Sequence, residues 1–194
     1  MHCQELDTPT LHRKADFPDA YTGISTRDLL TVYKAGPTRL GGILAGLTDD
    51  ELKQKPQEHK WSIQEIAMHI ADAEIMGAAR LRQTLAEPGA SFALYDQDAW
   101  TGELGHQSRD RKALENAVRL FSALRTGSAL LLETATEQDW SKWGNHADWG
   151  PLTVRQLLEL YADHGERHVE QIVDARALIG KPLVTPRLLP MRLY

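Results

Sequence analysis

Four stretches of this 194-residue chain repeat their apolar residues every three to four positions, the period of an α-helix with one buried face. The first begins near Arg27 behind a Thr26 cap and buries Leu29/Leu30, Tyr33, Leu40, Ile43/Leu44 and Leu47, with Pro37 predicted to kink or break it. The second follows Ser62, which with Glu65 forms a capping box, and runs to about Ala86 before Pro88-Gly89. The third follows Asp110 and carries Leu114, Ala117/Val118, Phe121, Leu124, Ser128, Leu131/Leu132 and Ala135. The fourth, capped by Thr153 with Gln156, ends at Gly180. Thr48 and Thr136 open short capped turns. With no convincing strand, the pattern predicts an all-α four-helix bundle over 26–180, after an irregular lead-in at 1–25 and before a Pro-containing tail at 181–194. The connection at 87–110 is long enough to cross the bundle, although spacing alone leaves the helix directions open.

Two of the four stripes contain histidines where packing calls for apolar residues. The second reads Ile63, Ile66, His69/Ile70, Ala73; the fourth reads Val154, Leu157/Leu158, Tyr161, His164, His168, Ile172. A polar group buried without a partner costs a few kcal/mol, so these imidazoles require partners. His164 and His168, four apart, lie on one helical face about 6 Å apart at their Cβ atoms. Both rings can reach one cation at the ~2.0–2.1 Å typical of zinc–imidazole bonds, and His69 from a facing helix supplies a third donor. Three nitrogens leave a coordination position open, as catalytic metal sites do. Water there would have its pKa lowered to around 7, and a thiol would be deprotonated. Spacing does not choose the metal, because imidazole suits Zn, Ni, Cu and Fe alike.

Other polar residues carry weaker signals. Glu65 is explained by its capping box. Asp72, Glu74, Asp163 and Glu166 read mostly as solvated helix-face charge, with an orienting role toward an imidazole as the sharper alternative. Tyr161, one turn before His164, is a candidate donor to a metal-bound group. Arg80 is too far from His69 to ligate and reads as a snorkelling side chain, with an anionic substrate as the alternative. The five tryptophans cluster near helix ends and in loops and read as bundle caps, or alternatively as pocket walls. His2, His12, His59 and His106 fall in termini or loops and receive no role.

Composition narrows the class. Hydrophobic residues at 42% and charged residues at 25% describe an ordinary globular chain. The net charge of −5, without a Lys/Arg cluster, argues against nucleic acid as a partner. The single Cys3 cannot form an internal disulfide, which fits a reducing cytoplasm. No apolar run approaches a membrane span, and the N-terminus lacks a signal-peptide core. Phosphate loops, nucleophile elbows and CxxC pairs are missing from the sequence, which removes nucleotide, serine-hydrolase and dithiol-redox readings.

At these residues the chain resembles the DinB/YfiT family of small metal-binding helical bundles. The segments that carry the resemblance are Gly46–Leu52, Lys60–Glu74, Tyr95–Trp100, His146 with Gly150 and Thr153, and above all Tyr161–Ile172. The family's three histidine ligands fall on His69, His164 and His168. The resemblance implies an up-down-down-up bundle with a long crossover between helices 2 and 3, one divalent metal ion (zinc or nickel), and a homodimer. His146 matches a loop histidine frequent in the family, which implies a place in the pocket or beside a ligand. Asp163 stands where close relatives often carry an aromatic residue, which implies a pocket of different shape. The activity implied is metal-dependent thiol S-transfer with a low-molecular-weight thiol and a small-molecule substrate. Its alternatives are metal-dependent hydrolysis of a small substrate and a non-catalytic metal-binding stress-response module.

Overall fold

The N–H groups at the start of each long helix meet a short polar side chain, the requirement that sets where a helix begins. The computed structural model describes Tyr21 and residues 23–189. Most of the predicted lead-in lies outside that range, as do His2, Cys3, His12 and Pro190. Helix α1 (Thr26–Leu44) is capped by Ser25, one residue earlier than expected, through its Oγ accepting from the Asp28 amide at 3.1 Å. The short α2 (Asp49–Lys53) follows Thr48. Helix α3 (Ile63–Ala86) starts with the predicted Ser62–Glu65 capping box. The connection after it is not a bare loop: Asp96 caps α4 (Gln97–Glu103), and a 3₁₀ turn spans His106–Ser108. Asp110 caps α5 (Arg111–Glu133), Thr136 caps α6 (Glu137–Ser141), and the Thr153–Gln156 box opens α7 (Val154–Leu178).

The helix directions follow from which residues share a core. At one end, Leu29 and Tyr33 from early α1 pack with Leu81 from late α3, Leu132 from late α5, and Val154–Tyr161 from early α7. At the other, Leu40 and Ile43 meet Ile63 and Ile66, Leu114, and Val169 and Ile172. Helices α1 and α7 therefore run one way and α3 and α5 the other, which is the up-down-down-up order. Because α3 and α5 are parallel, the connection must return along the length of α3, about 36 Å at 1.5 Å per residue. It is pinned at both ends. Phe92 N donates to Asn145 O at 2.8 Å near the end of α3, and Gln64 Nε2 near its start donates to His106 O at 2.6 Å and Arg109 O at 3.0 Å.

Two expectations require correction. A short antiparallel hairpin, β1 (Trp143–His146) and β2 (Gly150–Thr153), stands where no convincing strand was expected. Four-residue strands are too short for alternation to register, and Ser91 extends the ladder by bridging to Asn145. Of the two outcomes expected at Pro37, the break does not occur: α1 runs through it from Thr26 to Leu44. Proline removes the N–H that would bond the carbonyl four residues back, here that of Tyr33. Arg125 Nη1 donates to that carbonyl instead, at 2.9 Å.

Arg125 ties the whole bundle together. It lies on α5, 2% exposed, and its Nε donates to Glu74 of α3 at 2.8 Å across an ion pair buried on both sides. Its Nη2 donates to the Tyr161 carbonyl of α7. Glu74 also accepts from the Tyr33 hydroxyl of α1. The guanidinium fits because Gly36 and Gly165 face it; a Cβ at Gly165 would stand 2.8 Å from Nη2. Beyond α7, the tail places Leu189 in the same core cluster as Leu29. No helix among the described residues is long and apolar enough to cross a membrane.

Arg125→Met would strand a buried carboxylate and two carbonyls. A urea titration should show a loss of about 3–5 kcal/mol, partly recovered when Glu74→Gln is added.

Candidate metal centre

His69 lies two turns into α3, and His164 and His168 lie one turn apart on the antiparallel neighbour α7. The fold brings the three rings together. His69 Nε2 stands 3.3 Å from His164 Nε2, which stands 3.1 Å from His168 Nε2. One donor atom from each ring falls within 4.8 Å of the other two. Two nitrogens at tetrahedral positions about a zinc ion are about 3.3 Å apart, given zinc–nitrogen bonds of ~2.05 Å. The observed separations match that figure.

The protonation states suit ligation as well. Nδ1 of His168 is 2.7 Å from Gln171 Oε1, an oxygen that only accepts. The proton therefore sits on Nδ1, and Nε2 faces the cluster with its lone pair. Burial, then repulsion from His168, pushes His69 down to about 3. Burial likewise pushes His168 down to about 4, and burial and its two neighbours hold His164 well below the usual histidine range. Three neutral imidazoles turning the same nitrogen toward one point constitute a donor set for a divalent cation. Trp61 covers the cluster on one side, its ring centroid 4.9 Å from that of His69.

On another side lies a cavity of about 260 Å³ that His164 shares with Arg80, Tyr95, His146, Trp149 and Tyr161. Tyr161 is buried and accepts from Arg80 Nη1 at 3.0 Å; burial pushes its phenol up to about 12. His146, on β1, stands apart from the trio and forms part of the cavity wall. Its Nδ1 accepts from the Asp148 amide at 3.2 Å, which leaves Nε2 as the N–H. Its ring stacks on Trp149 with centroids 4.3 Å apart. Burial and then the nearby Arg80 hold it down at about 4.

Several residues differ from their expected surroundings. Glu74, Asp163 and Glu166 are buried and paired, with Arg125, Arg167 and Arg39 respectively, rather than solvated. Asp163, where an aromatic residue was expected, accepts from the hydroxyl of the buried Tyr21. Arg80 does not snorkel; it is 6% exposed. Trp149 is a cavity wall rather than a cap. His106, which received no role, is buried, with Nε2 3.1 Å from Asp72 Oδ2. It lies in an aperiodic, Gly-bearing connection, so no sequence pattern marks it. Arg125 sits on the apolar stripe of its helix at i+4 from Phe121, and its spacing from Phe121 is the one sequence signal that marks it.

The fold and the site together describe a four-helix bundle with three histidines converging between two of its helices. The chain belongs to the DinB superfamily, whose sequence pattern matches residues 33–172. Among related sequences, YfiT of Bacillus subtilis is 23% identical over 154 residues, covering 78% of this chain and 84% of its own length. A protein of Geobacillus thermodenitrificans is 25% identical over 168 residues, covering 84% and 90%. Both are named provisionally as metal-dependent hydrolases. The solved structure of YfiT, described as a probable metal-dependent hydrolase with an unusual four-helix bundle topology, superposes with a TM-score of 0.76 at 22% identity, covering 89% of this chain and 99% of that one. A mycothiol-dependent maleylpyruvate isomerase superposes with a TM-score of 0.63 at 14% identity, covering 79% of this chain and 62% of that one.

The lowered pKa values set the acid response of the metal-free protein. The rings stay neutral in the fold down to about 3 for His69 and 4 for His168, but protonate near 6.5 once unfolded. Below 6.5 the unfolded chain therefore binds more protons, and stability falls with pH until the folded rings protonate too. Chelator-treated protein should lose stability between pH 6.5 and 5 along a steeper slope than its His69→Asn variant, measured by urea titration at each pH.

Proposed function

We propose that this chain is a metal-dependent enzyme in which His69, His164 and His168 hold one divalent ion, zinc or nickel, and which transfers a low-molecular-weight thiol to a small electrophilic substrate. The observation that carries this reading is the convergence of three imidazole Nε2 atoms, one of them from His164, which lines a cavity. With a divalent ion bound, His69, His164 and His168 would hold it, and it would supply Lewis acidity sufficient to lower the pKa of a thiol or water toward neutral pH. Gln171 fixes the tautomer and orientation of His168. Tyr161, whose oxygen is engaged by Arg80, keeps its own proton for an acceptor in the cavity. Trp61 and Trp149 restrict water on two sides.

Thiol transfer is placed ahead of hydrolysis because the mycothiol-dependent isomerase has the same bundle architecture; the hydrolase names of the sequence relatives support the alternative. The cluster contains three donors, with no carboxylate or thiol joining it among the described residues. That favours an open catalytic site over a closed metal-binding module.

Protein purified without an affinity tag should carry about one equivalent of metal by elemental analysis, and His164→Ala should carry almost none. Equal metal in both would overturn the assignment. Gln171→Leu should weaken metal binding about 10–100-fold in a chelator competition. Metal-loaded protein given an electrophile should turn over only when bacillithiol, mycothiol or glutathione is added; turnover without thiol would favour hydrolysis.

A further inference from the structure

Buried arginines in this bundle are matched to acceptors. Arg125 meets Glu74, and Arg176 donates to the Ile43, Ala45 and Lys181 carbonyls where α1 and α7 end. Arg80 is different. It makes no ion pair among the described residues, and two of its five N–H donors are used, on the Tyr161 hydroxyl and on Ala93 O at 2.8 Å. Its Nε is buried without any acceptor. A guanidinium withdrawn from water without a counter-charge is costly, and this one lines the cavity that reaches His164.

The surrounding groups are also donors. Tyr161 accepts from Arg80 and so has its O–H to give. His146 accepts at Nδ1 and so carries its proton on Nε2. Tyr95 adds a phenol that burial keeps protonated, its pKa raised above the usual value. Gly77 lets Tyr161 lie where it does, since a Cβ there would stand 2.7 Å from the ring. The acidic group in the lining is Asp148, whose side chain is 41% exposed. A cavity lined by Arg80, by Arg167 (itself paired with Asp163) and by several neutral donors is complementary to an organic anion.

We propose that the cavity is a carboxylate subsite: Arg80, assisted by the Tyr161 hydroxyl, binds a carboxylate of a small substrate and holds the rest of that molecule beside His164. The proposal deepens the reading above and rests on it for its catalytic meaning, but binding of the anion itself requires no metal. The carboxylate belongs either to the electrophile or to the thiol, and both present the same chemistry to Arg80.

The test is calorimetric titration of the full-length protein, chelator-treated and metal-loaded, with succinate and with succinamide, its uncharged analogue of similar shape. Succinate should bind the chelated wild type about tenfold or more tightly than succinamide. Arg80→Met should weaken succinate by about the same factor, Arg80→Lys should keep part of the affinity, and Tyr161→Phe should lower it several-fold. Metal content, measured in parallel, should stay near wild type in all three variants. Equal binding of the two probes, no binding of succinate by the chelated wild type, or unchanged affinity in folded Arg80→Met would each overturn the subsite. If Arg80→Met fails to fold, the wild-type probe comparison and Tyr161→Phe decide. Loss of metal with anion binding retained would refute the metal reading and leave the subsite standing. For the source, metal-loaded enzyme is compared with N-acetylcysteine and N-acetylcysteamine, which differ by the carboxylate. A rate advantage for the acid that Arg80→Met abolishes places the carboxylate on the thiol; equal rates place it on the electrophile.

Discussion

The buried ion pair of Arg125 and Glu74 is the constraint around which the bundle is arranged. Taking two charges out of water costs several kcal/mol each, and the cost is offset only where the remaining donors and acceptors are also met. Each is met by a different helix. Glu74 comes from α3, the Tyr33 hydroxyl and carbonyl from α1, and the Tyr161 carbonyl from α7. Pro37 belongs to this arrangement. By lacking an N–H it frees the Tyr33 carbonyl for a guanidinium on another helix, so a residue that would ordinarily weaken α1 helps to tie it to α5. The network joins four helices through directional bonds, so a shift of any one of them breaks at least one bond.

The register those bonds hold is also what the three histidines need. Tyr161 and Gly165, which accept and accommodate Arg125, flank His164 on α7, and Glu74 lies five residues beyond His69 on α3. Each residue of an α-helix turns the next side chain by about 100°. A slip of one position in α7 would therefore carry His164 and His168 away from His69 and expose the pair to other surroundings. The clamp and the cluster thus form adjacent layers of one structure. The clamp is satisfied within the protein, while the cluster turns three imidazole Nε2 atoms toward one another.

The helices and their caps were legible in the sequence because capping boxes and apolar periodicity are local signals. Ser62–Glu65 and Thr153–Gln156 set their helix starts to the residue. The histidine trio was legible for a related reason: a polar residue on an apolar stripe stands out against its period. Arg125 interrupts its stripe in the same way, but a long cationic side chain on a helix usually reaches solvent, so its burial is not legible from the pattern alone. Asp163 and Glu166 show the same limit, because whether a carboxylate beside a core position is solvated depends on what another helix places opposite it. His106 and the β1–β2 hairpin lie in aperiodic segments whose structure is set by distant contacts, such as Phe92 with Asn145 and Gln64 with His106.

The division of labour between helices and connections bears on how such a site acquires specificity. All three imidazoles come from α3 and α7, whose positions the clamp holds. The crossover after α3 supplies Tyr95, and the hairpin supplies His146 and Trp149, to the cavity wall. The crossover is long because α3 and α5 run in the same direction, so the topology itself brings a chain segment to the wall of the cavity that His164 lines. Segments of this kind tolerate change in length and composition far better than packed helices do. Bundles with this helix order can therefore keep one donor set and change the molecule presented to it by altering two connections. In this chain those connections contribute chiefly hydrogen-bond donors around Arg80, which is why the cavity selects for negative charge.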